Sequence, residues 1–165
     1  ILNDKKARGT FGEVRLHQIF ISIFGENNTD IYEEQYQLPN DKRVDFMFHA
    51  PEPIGNLAID SKFPLENFNN IITAEDDKKV EEYRKLFKKD IKKHIDDIAS
   101  KYIIEGVTSN QAMMFIPSES IFAEINAYHE DLIHYSYEKK VWITSPTTLM
   151  AILNLLMVVL ILWSI

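Results

Sequence analysis

Cysteine is absent from the 165 residues. This excludes a disulfide framework, a cysteine-ligated zinc site and a thiol nucleophile, and it suits a reducing compartment. Glycine is limited to 5 residues and proline to 6, and no internal repeat or low-complexity linker divides the chain. A basic excess is missing as well: 18 Lys and Arg stand against 25 Asp and Glu, a formal charge of −7. That balance argues against a protein that holds nucleic acid by bulk charge. It leaves open an enzyme that meets its substrate through a local patch and a metal. No basic start followed by an apolar run marks a signal peptide. Gly-x-Ser-x-Gly, P-loop and dinucleotide fingerprints are all lacking. The five histidines form no ligand motif, since His129 and His134 are five apart and do not share a helix face. His94 is expected to pack beside Ile91 and Ile95, and His49 to be the only histidine near the chemistry. No aromatic cluster resembles a base-stacking platform.

What is present fits one globular domain, with 45% hydrophobic and 26% charged residues. The chain opens Ile1-Leu2-Asn3-Asp4 without an initiator Met and is read as a fragment or a processed form. Apolar spacing predicts a helix opening at Thr10 and stopped by Gly25. Strands are predicted over Ile31–Leu38, Arg43–His49 and Leu57–Lys62, with Pro51, Pro53 and Gly55 as a turn. On the second strand Val44, Phe46 and Phe48 are expected on one face and Asp45, Met47 and His49 on the other. A long amphipathic helix follows from a Thr73 N-cap to about Ile104. A buried strand at Ala112–Ile116, a helix over Glu119–Tyr137, a strand at Val141–Thr144 and a helix capped by Ser145-Pro146 complete the chain. The order α-β-β-β-α-β-α-β-α indicates a mixed α/β sheet with helices on each side.

The most chemical pattern is Asp45 followed by Asp60-Ser61-Lys62. Residues two apart on a strand share a face, so Asp60 and Lys62 project together. If the strands carrying Asp45 and Asp60 pair through the Pro/Gly turn, the two carboxylates converge. They then offer hard oxygen ligands to Mg²⁺ or Mn²⁺. A neighbouring lysine orients or deprotonates water and balances charge on a phosphate. The bland alternative is a solvated strand face with a weak surface pair, set against the burial implied by Leu57, Ala58 and Ile59. Glu13 is a third carboxylate, but Thr10-x-x-Glu13 also fits a capping box.

Several segments occur together in the order of a known family: Arg8-Gly9-Thr10-Phe11-Gly12-Glu13, Val44-Asp45-Phe46, Ile59-Asp60-Ser61-Lys62, Met114-Phe115-Ile116-Pro117-Ser118-Glu119 and Ser145-Pro146-Thr147-Thr148-Leu149. Ala74-Glu75-Asp76, His94-Ile95 and Lys101-Tyr102 fall in the same order. From Lys6 to Leu153 the chain resembles the RmuC DNA-recombination family. The resemblance implies a restriction-endonuclease-like fold of the PD-(D/E)xK superfamily, with Glu13, Asp45, Asp60 and Lys62 as active-site positions. Glu13, Asp45 and Asp60 would hold the metal. It favours Glu13 as a ligand over the bare cap, and Gln35 is a further candidate for the same site. Val44 stands where the superfamily name has proline, which is not a ligand. The family is associated with limiting DNA inversion at short inverted repeats, and its members are predicted nucleases. The resemblance therefore implies DNA as partner, with recombination or repair proteins beside it.

Two features remain. Lys85, Lys88, Lys89 and Lys92 form a stripe opposite Phe87, Ile91 and Ile95, read either as a solvated face or as a phosphate contact. From Val141 to Ile165 no residue is charged. Leu149 to Ile165 would span about 25 Å as a helix, short of the ~30 Å hydrocarbon core. It reads either as a membrane segment or as a helix packed on the domain. The division expected is a nuclease-fold domain over 6–153 and an apolar helix end, cut short, over 154–165. The leading expectation is thus a cytoplasmic, metal-dependent DNA-processing domain, membrane-associated if the tail or a missing N-terminal segment anchors it. The rivals are an inactive nuclease fold that only binds DNA or a recombination partner, and a membrane-associated interaction domain.

Overall fold

A computed structural model describes residues 4–165. Helix α1 (Lys5–Phe24) leads into a three-stranded meander, β1 (Tyr32–Gln37), β2 (Arg43–His49) and β3 (Asn56–Ser61). Helices α2 (Leu65–Thr73) and α3 (Asp77–Tyr102) cross to β4 (Ala112–Phe115). Helices α4 (Glu119–Tyr128) and α5 (Glu130–Glu138) then cross to β5 (Val141–Thr144), and α6 (Pro146–Trp163) ends the chain. The five strands lie in the order β1-β2-β3-β4-β5, antiparallel across the meander and parallel from β3 to β5. The mixed α/β sheet flanked by helices is as expected, whereas the element order differs by two helices.

Local chemistry accounts for those differences. The N-cap of α1 is Asp4, whose Oδ1 accepts from the Lys6 amide at 3.0 Å. Thr10 and Glu13 therefore lie inside the helix, and the capping-box reading is overturned. The segment expected to start one long helix at Thr73 instead ends α2 there. Helix α3 has its own cap, with the Asp76 side chain accepting from Lys79 N at 2.8 Å. The helix expected over 119–137 breaks at His129. At Ser145 the expected cap is present, completed by Thr148 as a capping box with Pro146 following.

One core lies between the sheet and the α1/α6 layer, where Leu16, Ile19, Phe20, Leu149 and Leu153 meet Phe46, Phe48, Ile59 and Phe115. The other lies beneath α3, where Phe87, Ile91, Ile95 and Ile98 meet Met47, Ala58 and Met114. Each of these wholly buried α3 side chains contributes about 1.5–3 kcal/mol by leaving water. Along β2 the alternation breaks. Val44 packs beneath α3 while Phe46 and Phe48 pack against α1, so the three do not share a face as expected. The break falls at Asp45. Opposite it, Gln35 adopts a left-handed backbone (φ 48) between the paired residues Glu34↔Phe46 and Tyr36↔Val44. Tyr32 and Tyr36 accordingly face opposite cores.

Candidate active site

The meander delivers the carboxylates. Strands β2 and β3 pair antiparallel through Phe46↔Ile59, which sets Asp45 beside the end of β3. Asp45 Oδ2 accepts from the Ser61 amide at 2.7 Å. Its carboxyl also shares a hydrogen bond with that of Asp60, and Asp60 is 5% exposed. Burial raises both carboxyls above their ordinary range, and the charge of Asp45 pushes Asp60 further up. The Ser61 amide partly offsets the rise at Asp45. Two negative charges at this spot are therefore disfavoured in the absence of a compensating cation.

Lys62 continues the same edge. Its Nζ lies 3.2 Å from Asp60 Oδ2 and 3.0 Å from Asp97 Oδ2 on α3. The other oxygen of Asp97 is 2.6 Å from Lys101 Nζ. Burial lowers the Lys62 pKa, but Asp60 and Asp97 outweigh it, so the ammonium stays charged. It serves as a hydrogen-bond donor and a counter-charge and does not take up a proton at neutral pH. Tyr102 stands over the group, its hydroxyl kept protonated by burial and by Asp60, Asp45 and Asp97.

Helix α1 supplies the third wall. Gly12 faces β3 so closely that a Cβ there would overlap Ser61 Oγ. The glycine lets the helix approach and brings the next residue, Glu13, within electrostatic reach of Asp45, whose pKa it helps raise. Among the described residues no three His, Asp or Glu side chains stand close enough together to hold a metal ion. Asp45, Asp60 and Lys62 are thus brought together, and Glu13 flanks them without joining the pair.

Beside Lys62 opens a cleft of about 350 Å³ between the start of α1, the β3–α2 turn and α3. Lys5, Arg8, Lys62 and Lys93 line it against Glu66 and Asp90. His94 also lines it. Burial and the Lys62 charge push its imidazole pKa down to about 4. This corrects the expectation for His49, because the histidine near the chemistry is His94. His49 is instead held by Glu33 at 2.6 Å and Asn56 at 2.9 Å. Asp97, His94 and Lys93 escape the sequence pattern because α3 carries them to the site from more than thirty residues away, at a sequence separation of 35 for Lys62–Asp97. Their sequence signals are a polar edge on an otherwise apolar-striped helix and, for His94, the His94-Ile95 segment that falls in the family's order.

The lysine stripe is divided. Lys88 Nζ pairs with Asp131 at 2.8 Å and Lys92 Nζ lies 4.7 Å above the Tyr135 ring, both against α5. Lys85 and Lys89 are exposed.

Fold and site together define an α/β domain with an open mixed sheet, a buried carboxylate pair and an anchored lysine beside a cationic cleft. The chain belongs to the RmuC family, whose model matches residues 1–161. It is 34% identical over 158 residues to the "DNA recombination protein RmuC homolog" of Pasteurella multocida, covering 92% of this chain and 31% of that protein. The protein of the same name from Haemophilus influenzae is 31% identical, with 92% and 35% covered. That from Zymomonas mobilis is 29% identical, with 89% and 34% covered. The chain thus spans about a third of the length of these relatives. No solved structure matches it.

Proposed function

We propose that this domain is the metal-dependent phosphodiester-hydrolysing core of a DNA-recombination protein, with a restriction-endonuclease-like arrangement of its sheet and α1. The observation that carries the reading is the buried Asp45–Asp60 pair, carboxyl against carboxyl, with the Lys62 ammonium 3.2 Å from Asp60. Two acids held that close favour a compensating cation. Mg²⁺ characteristically takes one or two protein carboxylates and fills its remaining positions with water and phosphate oxygens. The residues therefore fit Mg²⁺ or Mn²⁺, with Asp45 and Asp60 as ligands and Glu13 as flanking charge. Such an ion supplies Lewis acidity and charge neutralisation at a phosphodiester.

The chain's own groups do the rest. Lys62 donates to a phosphate oxygen or to the attacking water and offsets negative charge as it grows on phosphorus. Asp97 fixes the lysine's position by holding one of its three donors. Tyr102 and the α3 core pack against the carboxylates and limit their access to bulk water.

The name of the relatives, DNA recombination protein, supports DNA as the substrate class, and the family resemblance adds hairpins formed at inverted repeats. The test is cleavage of single-stranded, duplex and hairpin DNA with Mg²⁺ or Mn²⁺. Asp60→Ala and Lys62→Ala are each expected to reduce the rate by at least about a hundredfold. Activity that survives both substitutions would sink the assignment. A second reading, a nuclease fold that binds DNA without cutting it, draws on the lack of a three-ligand group among the described residues. It gains if the wild-type chain binds DNA but never cleaves it.

A further inference from the structure

Gly9 lies in the interior of α1, where glycine costs helix stability relative to alanine. Its neighbour one turn on, Gly12, is required by packing. Gly9 is not, because a Cβ there would meet nothing within 4 Å. What Gly9 does border is the 350 Å³ cleft beside Lys62. Gly9 thus leaves its edge of the cleft free of any side chain. The cleft has the size of a small ligand pocket. Its polar walls suit a phosphodiester, with Lys5, Arg8 and Lys93 around it. Its apolar wall is Phe63, with Phe11 tilted against it at a ring separation of 5.6 Å and itself 37% exposed. Aromatic faces of this kind stack on any unpaired base.

We propose that this cleft seats a single unpaired nucleotide of a DNA strand, its phosphate among Lys5, Arg8 and Lys93 and its base against Phe63, with Gly9 keeping the seat open. The proposal rests on the hydrolytic reading of the adjoining site and narrows its substrate to single-stranded DNA or the unpaired parts of folded DNA.

Binding can be measured apart from cleavage, by fluorescence anisotropy with the chain in a chelator. The probes are a short labelled oligothymidylate and a blunt duplex of equal length. The single strand is expected to bind at least about tenfold more tightly than the duplex. Gly9→Leu should weaken single-strand binding by about tenfold or more while melting at or above the wild-type temperature. Lys93→Ala, at an exposed position, should flatten the salt dependence of single-strand binding by about 0.7 in log–log slope. It decides alone if Gly9→Leu melts lower. Equal affinity for duplex and single strand overturns the seat, as does an unchanged Lys93→Ala slope. Cleavage that needs Asp60 and Lys62 while Gly9→Leu binds normally also overturns it and leaves hydrolysis standing. A single-strand preference lost in Gly9→Leu, in a wild-type chain that never cuts, supports the seat and overturns the hydrolytic reading.

Discussion

His94 occupies a position in which a proton is costly. Burial and the Lys62 ammonium depress its pKa from 6.5 to about 4 in the folded chain. Between those values the unfolded chain binds the proton and the folded chain does not, so folding becomes less favourable as pH falls. The stabilisation is fully present above pH 6.5 and is lost progressively towards pH 4. His129, also depressed chiefly by burial, acts in the same direction. From pH 7 down to pH 5 the urea midpoint of His94→Asn should therefore rise relative to that of wild type, the comparison cancelling His129 and the raised Asp45 and Asp60 carboxyls, which act in the opposite direction to the histidines. Parallel profiles for the two proteins would refute the assignment. The same residue shows where sequence reading stops. Asp60 and Lys62 were legible because two positions on one strand share a face, and Asp45 because a short turn pairs its strand with theirs. His94 sits at helical spacing among isoleucines, and only the docking of α3 reveals that its edge borders a cleft.

At the scale of elements, α1 carries two glycines three residues apart with opposite roles. Gly12→Ala drives a methyl group into Ser61, a small-to-large change that costs about 1–3 kcal/mol in a packed contact. Gly9→Ala meets open space and should instead gain up to about 1 kcal/mol from helix propensity. Chemical denaturation of the two variants is expected to shift in opposite directions, and a shift in the same direction would remove Gly12 as the point of approach. Strands β2 and β5 were readable to the residue because apolar and β-branched side chains mark them. Helix α2 was not, since its Leu-Glu-Asn-Phe-Asn-Asn sequence has weak helical preference and relies on packing against α3. The break at His129 was equally hidden, because apolar positions continue through it. Glu124 holds both Arg84 and His129 there, at 3.0 and 2.8 Å, and fixes the turn by contacts from three elements. The split faces of β2 follow from the left-handed Gln35, a conformation that no hydrophobic pattern announces.

For the whole molecule the main asymmetry is α6. Its first turns enter the core through Leu149 and Leu153, while Leu155, Val158, Val159, Ile161, Leu162 and Trp163 are exposed. By length and composition the helix could cross a membrane, with a mean hydropathy of 2.1 and 11% of it buried. The two halves should respond differently to mutation. Leu153→Ala opens a cavity and is expected to cost about 2–5 kcal/mol in unfolding free energy. Replacing Val158 and Leu162 by lysine should change stability by no more than about 0.5 kcal/mol per site. The same pair should abolish concentration-dependent association in sedimentation velocity, because an apolar patch of this kind drives self-contact. Large destabilisation by the lysine pair would instead place the helix end in the core.

The meander has a consequence for the order in which the site is assembled. Asp45 meets the Ser61 amide across a sequence separation of 16, whereas Lys62 meets Asp97 across 35 and must wait for α2 and α3 to dock. Closing the shorter loop costs less entropy, and contacts near in sequence form sooner. The acids are therefore gathered early by local hairpins, and the lysine gains its anchor only when the crossover closes. A chain arrested between those steps would already carry the acidic half of the site while its cationic half still moved freely.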